Sequence, residues 1–221
     1  MKKLFLLIIF GLLNLVSFGQ KSDSTLSYYS FYRGFSIHKT ELKAKRGVLN
    51  GEYKIFNGKS VGVLGAYKND ERIGRWTFFY KKDTIEQVYN YSTKKLEYNR
   101  PNKNITYYLD SIKEGDTVVY PAKINASFGL YMLSRLFKPP YFIQKSIGEY
   151  TLYYVFTLNN EGRLIKYETK IASDNYNKID EIDLKRLRPE DFDFSPAVVN
   201  GKNVASTMVI ESKLLANIKR R

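Results

Sequence analysis

The chain has 221 residues, 43% of them hydrophobic and 26% charged, a balance that disordered chains lack and that leaves room for one large or two small cores. It contains no cysteine, which excludes disulfides, thiolate metal sites and a lipid-carrying lipobox. The formal charge is +14, or +12 once Lys2 and Lys3 are removed, a field that attracts polyanions or simply confers solubility.

Met1-Lys2-Lys3 is a short positive segment, followed by the apolar run 4–16 and then by Ser17-Phe18-Gly19, small residues of the kind a signal peptidase reads. The run is short of the ~20 residues a spanning helix needs, so residues 1–19 read as a cleaved export signal. The expected location is the periplasm, with anchoring in the inner membrane if the signal is retained. Residues 20–46 read as an irregular lead-in with one short strand, its basic stretch 39–46 a solvated face. The 19 tyrosines, set among Val, Ile and Thr in alternating runs, favour β structure.

An internal repeat begins at Gly47. NGEYKIFN at 50–57 aligns with IGRWTFFY at 73–80, an offset of 23 residues. Gly51 precedes Tyr53 and Phe56, and Gly74 precedes Trp76 and Phe79. The glycines are expected to allow tight turns, with return strands at 61–67 and 85–91. The pattern predicts a β-meander of stacked hairpins over 47–99. It resembles the variant MORN-type repeat found in exported proteins, a resemblance that implies a structural or contact role and no catalytic residues.

Residues 100–119 read as a connector, with breakers at Arg100-Pro101-Asn102, a short strand at 105–109 and a turn at Glu114-Gly115-Asp116. A helix is predicted over 125–137, capped by Asn125 or Ser127 and ended by Pro139-Pro140. The strand 150–158 places Tyr150, Leu152, Tyr154, Phe156 and Leu158 on one face. Asn159-Asn160-Glu161-Gly162 makes the turn, and the return strand sets Ile165, Tyr167, Thr169 and Ile171 on one face. A second helix is expected from Ser173 or Asp174 to Leu187, on the apolar residues Tyr176, Ile179, Ile182, Leu184 and Leu187. Asn200-Gly201 turns the chain into a last strand.

Lys138-Pro139-Pro140-Tyr141, the hairpin, and Phe194-Ser195-Pro196-Ala197 with Asn200-Gly201-Lys202 follow one another in an order that resembles the C-terminal domain of TonB energy transducers. The resemblance covers residues 120–210, within a domain taken as 120–221. It implies an α+β fold in which the repeat meander precedes a small domain with a three-stranded antiparallel sheet and two helices. It also implies a sheet edge that pairs with an extended peptide from an envelope protein or receptor. The candidate edge is Val204, Ala205, Ser206, Thr207, Met208, Val209 and Ile210. The expected function is non-enzymatic binding of a protein or peptide. One alternative is an energy-transducing component with a retained anchor; another is a basic module that binds anionic cell-wall polymer or lipid. Export disfavours nucleic acid as partner.

Catalytic, cofactor and metal residues are assigned to none. His38 is the single histidine and nothing near it in sequence suggests a triad or a metal site. Gly58-Lys59-Ser60 ends like a P-loop, but Tyr53 stands where the first glycine belongs, so it reads as a hairpin turn. The acids Asp180, Glu181, Asp183, Glu190, Asp191 and Asp193 lack calcium-loop spacing and read as solvated loop residues.

Overall fold

A computed structural model describes residues 24–32, 34–81, 84–109, 112–145 and 148–216. The expected export signal at 1–19 lies outside them. The fold is mainly antiparallel β-sheet with few helices. It divides into two compact units at Gly74 and Arg75.

In the first unit, β1 (Thr25–Tyr32), β2 (Phe35–Leu42), β3 (Lys45–Asn57) and β4 (Ser60–Lys68) pair in chain order, and β5 (Glu71–Lys81) begins at its end. The lead-in therefore holds two strands where one was expected. β1 is largely exposed on both faces, so its sequence carries no period-two apolar signal. Ile37, Ile55 and Val63 are register partners across β2, β3 and β4 and form a buried ladder. The turn at Gly58 is the expected hairpin turn. Gly51 is not at a turn. It lies inside β3 at φ +127°, and a Cβ there would sit 2.8 Å from Thr40 Cγ2. The glycine thus lets two strands approach rather than letting the chain reverse.

The second unit contains the rest of β5, then β6 (Thr84–Asn90), β7 (Lys95–Asn99), β8 (Ile105–Leu109), β9 (Val118–Val119) and β10 (Ala122–Lys123). Helices α1 (Ala126–Ser134) and α2 (Tyr141–Lys145) follow, then β11 (Gly148–Leu158), β12 (Leu164–Ser173) and β13 (Tyr176–Glu181). Two 3₁₀ turns, Leu184–Arg186 and Pro189–Phe192, lead into β14 (Phe194–Ser195), β15 (Ala197–Val199), β16 (Lys202–Val204) and β17 (Ser206–Ala216). The main sheet has the order β13-β12-β11-β17-β8; a smaller one runs β16-β15-β9, and β10 pairs with β14.

The repeat is visible as geometry. β3 and β4 slip register between Ile55 and Phe56; β5 and β6 slip between Phe78 and Phe79, which is the same 23-residue offset. Each slip is a β-bulge, and each follows a positive-φ glycine by the same interval.

The hairpin β11–β12 forms as expected, with Leu152, Phe156 and Leu158 buried against Tyr167, Thr169 and Ile171. Ile165 departs from the expected face. A bulge at Thr157 and Leu158 pairs Leu158 with Leu164, so Leu164 enters the core and Ile165 turns outward, 55% exposed. Leu133, Phe156, Tyr167, Phe194 and Met208 centre the main core, and Ile143, Leu152 and Ile171 form a second cluster beside it.

Three further expectations are corrected. The second helix is instead strand β13 followed by a 3₁₀ turn. The apolar residues Tyr176, Ile179 and Ile182 keep a helical spacing, but pairing with β12 makes Tyr176–Glu181 a strand. The expected three-stranded sheet has five strands. The added ones are β13 and β8, the latter drawn from the connector. Finally, Ser206 to Ile210 do not form an edge. They pair with β11 on one side and β8 on the other, while Val204 belongs to β16 and pairs with Ala197. Ala205 lies between the two strands.

Candidate functional site

The edge missing from β17 is found on β8. In the β8–β17 register, Asn104 stands opposite Glu211, whose backbone N–H donates to the Asn104 carbonyl at 2.9 Å. Antiparallel pairs alternate between bonded and non-bonded residues. Thr106 and Tyr108 are then the residues that bond to β17, and the N–H and C=O of Tyr107 point away from it. Ile105 shares that phase, but its N–H already donates to Asn102 at 3.1 Å.

Beside Tyr107 lies a cleft of about 910 Å³. Its walls come from three strands that each end a sheet: β7 supplies Leu96 and Asn99, β8 supplies Tyr107, and β9 supplies Val118 and Val119. The Tyr107 and Tyr120 rings stack at 4.7 Å with planes 19° apart. Burial foremost, and then the neighbouring Tyr120, raises the Tyr107 pKa above its ordinary value, so the group stays a neutral hydroxyl that can donate a hydrogen bond. Also in the lining, the Arg100 guanidinium lies 5.0 Å from the centre of the Tyr80 ring, and Lys81 Nζ, outside the lining, lies 5.2 Å from that ring. Lys103 adds a further positive charge to the lining.

The walls are held by polar bonds within the second unit. Gln87 on β6 is fully buried, and its Nε2 donates to Asn99 Oδ1 at 3.0 Å and to the Lys123 carbonyl at 2.9 Å. Its Oε1 accepts the Asn125 N–H at 3.1 Å. In the repeat, Gln87 stands opposite Phe78 as Val63 stands opposite Ile55, so an apolar rung has become a polar dock. Tyr91 donates to Asn125 Oδ1 at 3.0 Å, and the Ser127 hydroxyl donates to Glu86 Oε1. Asn125 precedes α1 at φ +82° but caps nothing with its side chain, which is taken by Tyr91. The loop 100–104 is fixed by Asn102, whose Oδ1 accepts the Asn104 N–H at 3.0 Å, and by the Arg100 N–H bond to the Glu86 carbonyl at 2.8 Å.

The expected site residues do not converge on this cleft, because Ser206–Ile210 lie inside the sheet. Tyr107, Tyr120 and Arg100 were missed. Their signal was local, two tyrosines and a breaker cluster in or bordering a connector, and nothing local says that residues 105–109 close a sheet. The acids expected to be solvated loop residues are engaged separately, and two points differ from that expectation: Asp180 and Glu181 lie in β13, and Asp191 is buried. Asp180 pairs with Lys178 at 2.8 Å, Asp191 with Arg188 at 2.9 Å, and Asp183 accepts the Lys185 N–H at 3.0 Å. His38 lies 3.5 Å from Glu52 and packs on Tyr29. Among the described residues no group of acids and histidine has the arrangement of a metal site, and no helix is long and apolar enough to cross a membrane.

Comparison with family models, with curated proteins and with solved structures finds no match to this chain.

Proposed function

We propose that the protein is an exported envelope component that binds an extended peptide segment of a partner protein at the β8 edge. The observation that carries this reading is the Tyr107 backbone N–H and C=O, directed away from β17 beside a cleft of about 910 Å³. A strand added there takes main-chain bonds from Tyr107 and side-chain contacts from the Tyr107–Tyr120 stack. The basic groups Arg100 and Lys103 favour acidic residues in that segment.

The finer likeness to the C-terminal domain of TonB transducers rests on the order of helix, Pro-Pro, hairpin and Phe194-Ser195-Pro196, and belongs to this proposal. So does export, which rests on residues 1–19. In this reading β8, not the last strand, offers the edge.

The test uses Tyr107→Pro. That change removes an outward N–H and none that bonds to β17. Peptides are selected from a display library on the wild-type protein, and their binding is measured by calorimetry. Binding by this mode is lost on Tyr107→Pro and on N-methylation of alternate peptide residues. Peptides that bind the proline variant as tightly as the wild type would sink the proposal.

A further inference from the structure

The opposite end of the main sheet carries a second open edge with a different character. β13 pairs with β12, and the Ile182 N–H donates to the Tyr167 carbonyl at 2.8 Å. By the alternation of antiparallel pairs, Asp180 and Lys178 bond to β12, while the N–H and C=O groups of Asn177, Ile179 and Glu181 point outward. Ile179 is 62% exposed. No proline or glycine interrupts the strand, and it is six residues long.

We propose that β13 pairs with β13 of a second copy of this chain, antiparallel about a two-fold axis through Ile179. An isologous antiparallel pairing must place outward groups opposite outward groups, and three registers do so with at least two of Asn177, Ile179 and Glu181 from each copy. One sets Lys178 opposite the partner's Lys178, and another sets Asp180 opposite the partner's Asp180. Both oppose like charges at the close, non-bonded positions of the ladder. The third centres on Ile179. It sets Lys178 opposite the partner's Asp180 twice over, pairs Asn177 with the partner's Glu181, and forms the longest ladder of the three. The Lys178–Asp180 ion pair within one strand, at 2.8 Å, shows that the two side chains share a face, so two copies bring four alternating charges together. A lone inward charge protects an edge against pairing. Here the second charge, two residues away and of opposite sign, selects a register instead. The two main sheets then continue into one another across the axis.

Because the chain has no cysteine, one introduced thiol reports the register. In the proposed pairing the two copies of residue 179 face each other at a Cα separation of about 5.5 Å, within disulfide reach. Purified Ile179→Cys protein under mild oxidation is expected to give a disulfide-linked dimer. Asn177→Cys alone should not, and Asn177→Cys mixed with Glu181→Cys should give the mixed dimer. Sedimentation of the unmodified protein from about 10 µM to about 1 mM should show a monomer–dimer equilibrium. Lys178→Asp weakens it by about tenfold or more, and Lys178→Asp with Asp180→Lys restores it. A monomer throughout that range, cross-linking equally at all three positions, or no recovery in the double variant overturns the proposal. None of these outcomes depends on the cleft at β8.

Discussion

The backbone N–H of Phe194 donates to the carbonyl of Gly162 at 3.0 Å, and a Cβ on Gly162 would lie 2.5 Å from the Phe194 carbonyl oxygen. The tip of the β11–β12 hairpin and the Phe194-Ser195-Pro196 segment are thus joined backbone to backbone. Gly162 holds φ +76°, a conformation that side chains other than glycine adopt at a cost. Gly162→Ala combines that cost with the clash, and is expected to lower stability by roughly 2–4 kcal/mol. Denaturant unfolding checks it, with an unchanged midpoint contradicting the account.

The same pair of residues shows what the sequence made legible. The hairpin was readable because period-two alternation and an Asn-rich turn are local signals. Its junction with Phe194 was not, because no local pattern encodes which backbone lies against which. The bulge at Leu158 was likewise hidden, and it reversed the side on which Ile165 lies. β13 was misread because Tyr176, Ile179 and Ile182 fit a helical spacing, and only pairing with β12 excludes it. The cleft fared worst. Ile105–Leu109 was recognised as a strand, but its partner β17 lies about a hundred residues further on, and the free side of β8 follows from that partner.

Gln87 tests the idea that the repeat was adapted at one rung. Gln87→Val would restore the apolar residue found at Val63, and by repeat logic should be harmless. The structure predicts otherwise, because the Lys123 carbonyl and the Asn125 N–H lose their buried partner. Losing these two buried hydrogen bonds costs about 2–4 kcal/mol together. Hydrogen exchange should also quicken at Asn125 and along β7, where Asn99 loses its bond to Gln87. A variant as stable and as protected as the wild type would show that Gln87 merely fills space.

Asp191 makes the stability of the second unit depend on acid. Burial, the largest single influence on its carboxyl, pushes the pKa up. The Arg188 side chain and N–H, with help from Lys123, outweigh it and hold the pKa below the ordinary value. Arg188 donates to Asp191 through its N–H at 3.1 Å, Nε at 3.1 Å and Nη2 at 2.9 Å. With the folded pKa lower than the unfolded value of about 3.9, the unfolded chain binds the proton first as pH falls. The contribution is therefore complete above about pH 4 and disappears as pH drops through the folded pKa. Asp191→Asn should lose roughly 2 kcal/mol at neutral pH, since an amide accepts fewer of the Arg188 bonds. Below about pH 4 its unfolding free energy should fall less steeply than that of the wild type, so that the two curves approach each other. Parallel curves across that window would mean that Asp191 titrates alike in the folded and unfolded chains, and the Arg188 bonds would then stabilise no charge.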